Sequence, residues 1–281
     1  MKRVLALALN LLLIFFLSRA LVRMLPGDPI ETIVAESATS VDVDALRVEL
    51  GLDQPWYAAA WTDLGNALRG DFGRSIQSRD AIAPMLAQRF WRTAELVVLV
   101  VLFGLGVSTA LGMAAAHRPG GRWDRFCTVY AALAASLPLP WLGPMLAVAF
   151  AVLIPIFKIS GGLGLPVLAL VIGFSGLWAR LIRFRVREAV RSDAYRAAQA
   201  RGVRGIQLQL KYGLAPVSGF LVAYLGTQLG SLLGGAVVSE TLFDWPGMGL
   251  LFFEAVLKRD YPVVEATAFV AAALSLGGTA A

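Results

Sequence analysis

Apolar residues in this chain come in unbroken blocks of about 20, the length at which a helix rising 1.5 Å per residue crosses the roughly 30 Å hydrocarbon core of a bilayer. The block AELVVLVVLFGLGVSTALGMAAA, from Ala94 to Ala116, holds a single charged residue, Glu95. In hydrocarbon every backbone N–H and C=O needs an internal partner, so such a block is restricted to a helix. Stretches of the same character near 4–24, 127–153, 164–182, 214–238 and 263–281 bring the expected number of transmembrane helices to six. The expected fold is an all-α membrane protein with a long loop after the first helix. Composition agrees: 58% hydrophobic and 16% charged residues among 281, against about 45–50% and about 25% in soluble domains, exclude a soluble globular chain. The lack of polar tracts and of heptads excludes disorder and coiled coil.

Lys2 and Arg3 precede the first block as in a secretory leader, but Arg19 stands where a small-residue cleavage site belongs and the block runs on to Met24. An uncleaved anchor is expected. Arg19 and Arg23 lie one turn apart near its far end and read as an interfacial pair reaching for the headgroups. Short loops rich in arginine mark the cytoplasmic side. Arg118, Arg122 and Arg125 follow the second block, and Arg183, Arg185, Arg187, Arg191, Arg196, Arg201, Arg204 and Lys211 follow the fourth, opposed by Glu188 and Asp193. Residues 25–93 carry ten acidic and six basic residues, and 239–262 four and two, so both face outside. The amino terminus is expected in the cytoplasm, and the net charge of +6 reflects topology rather than nucleic-acid binding. On this reading 1–93 is the first helix with its extracytoplasmic loop, and 94–281 is a five-helix domain with a cytoplasmic loop at 183–213. The last block ends at Ala281 with no polar tail, which reads as a truncated carboxyl terminus.

Catalysis and cofactors find little footing. Cys127 and His117 are the only residues of their kinds, so neither a disulfide nor a Cys/His metal cluster is expected. None of the four lysines follows glycine and precedes Ser or Thr, so the phosphate-binding loop of a nucleotide hydrolase is missing. Any ATP consumed is hydrolysed by another chain.

Two stripes run along the fifth block. Tyr224, Thr227, Gln228 and Ser231 share one helical face, which suits either interhelical hydrogen bonds or the lining of a polar pathway. Gly226, Gly230 and Gly234 form a second face, read as a packing surface, as do Gly104, Ser108 and Gly112 in the second block. Pro138, Pro140 and Pro144 are expected to kink the third. In the basic loop, Ser192 is placed to cap a helix, Asp193 suits its positive end and Gly202 ends it. The segment Ser192, Asp193, Ala194, Tyr195, Arg196, Ala197, Ala198, Arg201, Gly202 then carries a strip of small side chains, Ala194, Ala197 and Ala198, flanked by arginines. Such a strip can seat in another protein's groove; an interfacial helix on anionic lipid is the competing reading.

Ala197-Ala198 followed by Gly202 is similar to a cytoplasmic Glu-Ala-Ala, three residues, Gly pattern, with Arg196 in the glutamate's place and Leu214 and Pro216 one residue out from a usual Leu-Pro pair. Other segments occur in order: Pro26-Gly27-Asp28-Pro29, Gly51-Leu52-Asp53-Gln54-Pro55, Gly70-Asp71-Phe72-Gly73-Arg74-Ser75, Thr93-Ala94-Glu95-Leu96, Glu240-Thr241-Leu242-Phe243 with Pro246-Gly247-Met248-Gly249, and Asp260-Tyr261-Pro262. Over nearly its whole length the chain resembles the inner-membrane permease subunits of binding-protein-dependent ABC importers, in the oligopeptide, dipeptide and nickel branch. That resemblance implies the type I importer permease fold in a prokaryotic inner membrane. It also implies a second permease, two ATP-binding subunits that use ATP and Mg, a substrate-binding protein outside, and a docking role for the 192–202 helix. Peptide is the cargo implied, with nickel or another small solute as the alternative.

Glu240, Asp244, Glu254 and Asp260 either attract cationic cargo or merely mark an outside loop, the simpler reading. A channel or ion-coupled transporter acting alone is the more distant alternative, and would call for acidic residues in mid-span, whereas Glu95 and Glu265 stand near span ends.

Overall fold

The computed structural model describes residues 9–17, 19–20 and 56–280. The segments 26–29 and 51–55, and much of the first expected span, lie outside the described residues. Residues 9–17 and 19–20 are helical. The helices that follow are α1 (Trp56–Ala67), α2 (Ile82–His117), α3 (Arg122–Ser136), α4 (Leu139–Ala147), α5 (Gly164–Val190), α6 (Asp193–Ala200), α7 (Gly205–Leu208), α8 (Ala215–Phe243), α9 (Met248–Leu257) and α10 (Tyr261–Ala280). Wider π-helical turns follow α4 at Val148–Leu153 and precede α8 at Gln209–Leu214. Among the described residues there is no strand, only an isolated bridge between Arg74 and Ala81, and the fold is all-α. Four of these helical stretches are long and apolar enough to cross a membrane, or five if α3 and α4 count as one crossing.

That third crossing, expected over 127–153 with a kink at its prolines, is broken into two helices. The chain turns by 103° between α3 and the α4 stretch, and proline geometry explains where. Leu137, forced out of the helical region by the ring of Pro138, takes φ −96° and ψ 108°. Pro138 is extended and caps α4, Pro140 sits in the first turn where its missing N–H costs nothing, and Pro144 interrupts the ladder just before the π turn.

The described residues divide into two compact units, one of those up to 93 with 246–280 and one of residues 94–245. In the second, α5 is the centre: 61% of its most apolar window is buried, against 11% for the Gly205–Phe243 stretch. Small residues bring α2 against it. A Cβ on Gly104 would lie 2.8 Å from the Trp178 ring, and one on Gly112 would lie 2.8 Å from Ile182. Between them the buried Ser108 hydroxyl donates to Gly104 O and Ser175 O at 2.6 and 3.0 Å, so the stripe read in the second block is a packing surface. Gly176 meets Ala131 and Ala134 of α3 in the same way. In the fifth block, Gly234 has open space around it, while its neighbour Gly235 meets Leu170 and Phe174 of α5. Leu142 and Leu146 of α4, Leu165 and Ala169 of α5 and Phe243 of α8 form a separate apolar cluster.

The first unit gathers Ile82 and Leu86 of α2, Met248, Leu251 and Ala255 of α9, and Val263, Val264 and Ala266 of α10. Phe15 packs with Ala60 and Leu64 of α1 and meets Phe269 edge-on. Arg19, read as one of an interfacial pair, has carboxylate partners. Its guanidinium is held by Asp63 and by Glu265, at 3.3 Å from the latter. A cation with only 12% of its side chain exposed is stabilised by such partners.

Candidate functional site: the coupling segment and its supports

Helix α6 is closed at both ends by its own sequence. Ser192 is extended, φ −69° and ψ 153°, and its hydroxyl accepts the Tyr195 N–H at 3.3 Å. Asp193 stands in the first turn, where the helix dipole favours an anion. At the other end Gly202 takes φ +88°, a conformation that costs a residue with a Cβ about 1 kcal/mol or more. Gly202 N–H donates to Gln199 O at 3.0 Å and Val203 N–H to Ala198 O at 3.1 Å, the paired bonds of a Schellman stop.

Burial splits the alanine strip. Ala198 is fully enclosed and clusters with Tyr195 and Leu208, against Val190, Val203 and Tyr212. Ala194 and Ala197 are exposed. The expectation of one outward strip is corrected accordingly: Ala198 anchors the helix to the chain's own interior, and the outward small face consists of Ala194 and Ala197. Around that face Arg191, Arg196, Arg201 and Arg204 are exposed, with no carboxylate partner among the described residues.

The helix hangs from rigid supports. Asp124 near the start of α3 receives Arg183 and Arg187 of α5, at 2.7 and 2.6 Å, and the Gly120 N–H at 2.8 Å. Arg183 also donates to Thr128 Oγ1 at 2.6 Å, and Arg187 to Ala115 O in the last turn of α2 at 3.3 Å. One carboxylate thus ties the adjoining ends of α2, α3 and α5 together. Arg185 lies 4.0 Å over the Phe220 ring, joining α5 to α8. This hub escaped the sequence reading, although a lone aspartate among Arg118, Arg122 and Arg125 was its available signal.

The polar stripe of α8 is also divided. Tyr224 and Gln228 are half-buried and bonded to each other, the amide donating to the phenol at 2.6 Å, while Thr227 and Ser231 are exposed. The motif residues assigned to the outer loop fall on elements. Glu240 and Phe243 belong to α8, both buried, and Asp244 ends the helix at φ +53° with Trp245 N–H returning to Glu240 O at 2.9 Å. Pro246 and Gly247 lead into α9, which includes the buried Gly249; Met248 N–H donates to Thr93 Oγ1 at 2.8 Å. Asp260 is buried, accepts the Ser75 hydroxyl, and takes the Ile76 N–H at 3.1 Å. Tyr261 and Pro262 open α10, where proline's missing N–H is tolerated. Residues far apart in sequence are therefore paired within one unit: Ser75 with Asp260, and Thr93 with Met248. Glu240 and Asp260 are interior groups, so neither acts as a free surface anion of the kind the cation-attracting reading needs.

Residues 108–281 match the family described as Binding-protein-dependent transport system inner membrane component. The chain is 36% identical over 275 residues to the glutathione transport system permease protein GsiC of Escherichia coli strain K12, covering 94% of this chain and 88% of that protein. The proteins of the same name from Shigella dysenteriae serotype 1 and Shigella flexneri serotype 5b match at the same identity and coverage.

Proposed function

This chain belongs to the binding-protein-dependent transport system inner membrane components, and we propose that it forms half of an ATP-driven pathway for peptides delivered by an outer binding protein. It is a multi-pass inner-membrane permease subunit of an ABC importer. The observation that carries the finer reading is α6: a capped helix with a small exposed face, ringed by exposed arginines and anchored to α5 through Tyr195 and Ala198. A partner ATPase that grips Ala194 and Ala197 moves α5 and the base of α8 with it, because Asp124 and the Arg185–Phe220 stack leave little slack. Such elements rock as rigid bodies between inward and outward openings. Ser192, Asp193, Arg196, Arg201 and Gly202 set the helix's length, ends and charge.

Peptide-like cargo is supported by the relatives, whose name assigns them glutathione transport, glutathione being itself a small peptide. Thr227 and Ser231 are exposed polar side chains of α8 available to a pathway. The second permease, two nucleotide-binding subunits and the binding protein complete the assembly, with the amino terminus in the cytoplasm.

The test is uptake of labelled glutathione and of di- and oligopeptides by cells with and without the chain. Uptake that needs both the chain and ATP supports the reading. Chain-dependent uptake that survives ATP depletion contradicts it and favours a self-sufficient channel.

A further inference from the structure

In unit 94–245, a cavity of about 790 Å³ opens beside the last two turns of α2. Its chemistry is layered. The floor, Ala110, Met113 and Ala114, continues the apolar face of a membrane-crossing helix, and the rim carries Arg118, Arg122 and the indole of Trp123, 59% exposed. The turn that presents the two arginines is built rather than loose. Gly120 takes φ +77°, Gly121 N–H returns to Arg118 O at 3.0 Å, and Asp124 takes the Gly120 N–H. Asp124 is the acid nearest in sequence, and it is already engaged by Arg183 and Arg187. Among the described residues no carboxylate pairs with Arg118 or Arg122. His117, between floor and rim, directs Nδ1 to Met113 O at 3.0 Å, which keeps the ring against its own helix.

We propose that this cavity binds one anionic phospholipid, its phosphate held by Arg118 and Arg122 and its upper acyl chain on Ala110, Met113 and Ala114. Cations above an apolar floor, with a tryptophan at the boundary, match a headgroup, a glycerol backbone and a chain in that order. A free phosphate would leave the apolar floor empty, and a protein surface would not need a floor continuous with a membrane span. Ile206 and Gln209, which also line the cavity, belong to the connection between α6 and α8, so an occupying lipid touches both the coupling segment and the α2–α3 turn.

Native mass spectrometry of the full chain in detergent, titrated with phosphatidylglycerol and phosphatidylcholine, tests this. The wild-type chain should retain phosphatidylglycerol selectively. Arg118→Gln with Arg122→Gln removes two cationic groups from the headgroup site and should weaken that retention by about 30-fold, while Arg118→Lys with Arg122→Lys preserves most of it. Arg125→Gln, outside the cavity, should change nothing. Equal retention of the two lipids, or no effect of the double Gln variant, overturns the proposal. Displacement by inorganic phosphate at equal concentration would assign a free anion site, and displacement by added nucleotide-binding subunits would assign a protein interface; either result also overturns it.

Discussion

Ala197 and Ala198 are neighbours of identical chemistry facing opposite surroundings, and substitution separates their roles. Ala198→Glu places an unpaired carboxylate among Tyr195, Leu208 and Val203, a cost of several kcal/mol. Limited proteolysis should then show cutting within 190–214. Ala197→Glu, at an exposed position, should leave stability within about 0.5 kcal/mol, yet weaken co-purification of the nucleotide-binding subunits if α6 is their seat. Equal retention of those subunits by the Ala197 variant contradicts the docking role. At Gly202, with φ +88°, alanine should cost about 1 kcal/mol or somewhat more, read as a lower melting midpoint of the detergent-solubilised chain. The caps of α6 were legible because Ser192, Asp193 and Gly202 act through their own local backbone. The orientation of Ala198 was not, since it depends on Leu208 and Tyr212, which return from beyond Gly202.

Among the elements, α5 carries most of the packing of its unit, and its neighbours predict what breaks it. Leucine at Gly104 or Gly112 has to displace Trp178 or Ile182, and overpacking of this sort costs about 1–3 kcal/mol. Glycine-to-leucine at Gly234, where nothing lies within reach, should be far milder; equal losses at the two places would contradict the packing described. Asp124→Asn removes the anion shared by Arg183 and Arg187 and should cost about 1–3 kcal/mol, with the melting midpoint falling by a few degrees. The small-residue stripe of α2 was readable from spacing because close approach requires small side chains. Within α8, spacing did not say that Gly235 rather than Gly234 meets α5. Proline positions announced the bend at Leu137, but its 103° follows from where α4 packs on α5, which no local rule supplies.

For the molecule as a whole, the apolar blocks dictate an all-α membrane protein, and the paired motif residues explain why distant stretches occur together. Ser75 with Asp260 and Thr93 with Met248 are long-range bonds that a linear reading records only as separate patterns. Helix α9 was hidden within an expected loop because its ten residues, Met248–Leu257, are too few to cross a bilayer. The cytoplasmic side proposed for α6 predicts that a cysteine replacing Ala197 in intact cells resists membrane-impermeant thiol reagents and reacts once the membrane is opened. The measurement that tests the central claim most directly is a pull-down of the tagged chain from its native membranes in mild detergent, with the retained proteins identified by mass spectrometry. Recovery of a second permease together with nucleotide-binding subunits is the predicted result; an intact, folded chain that comes down alone would contradict it.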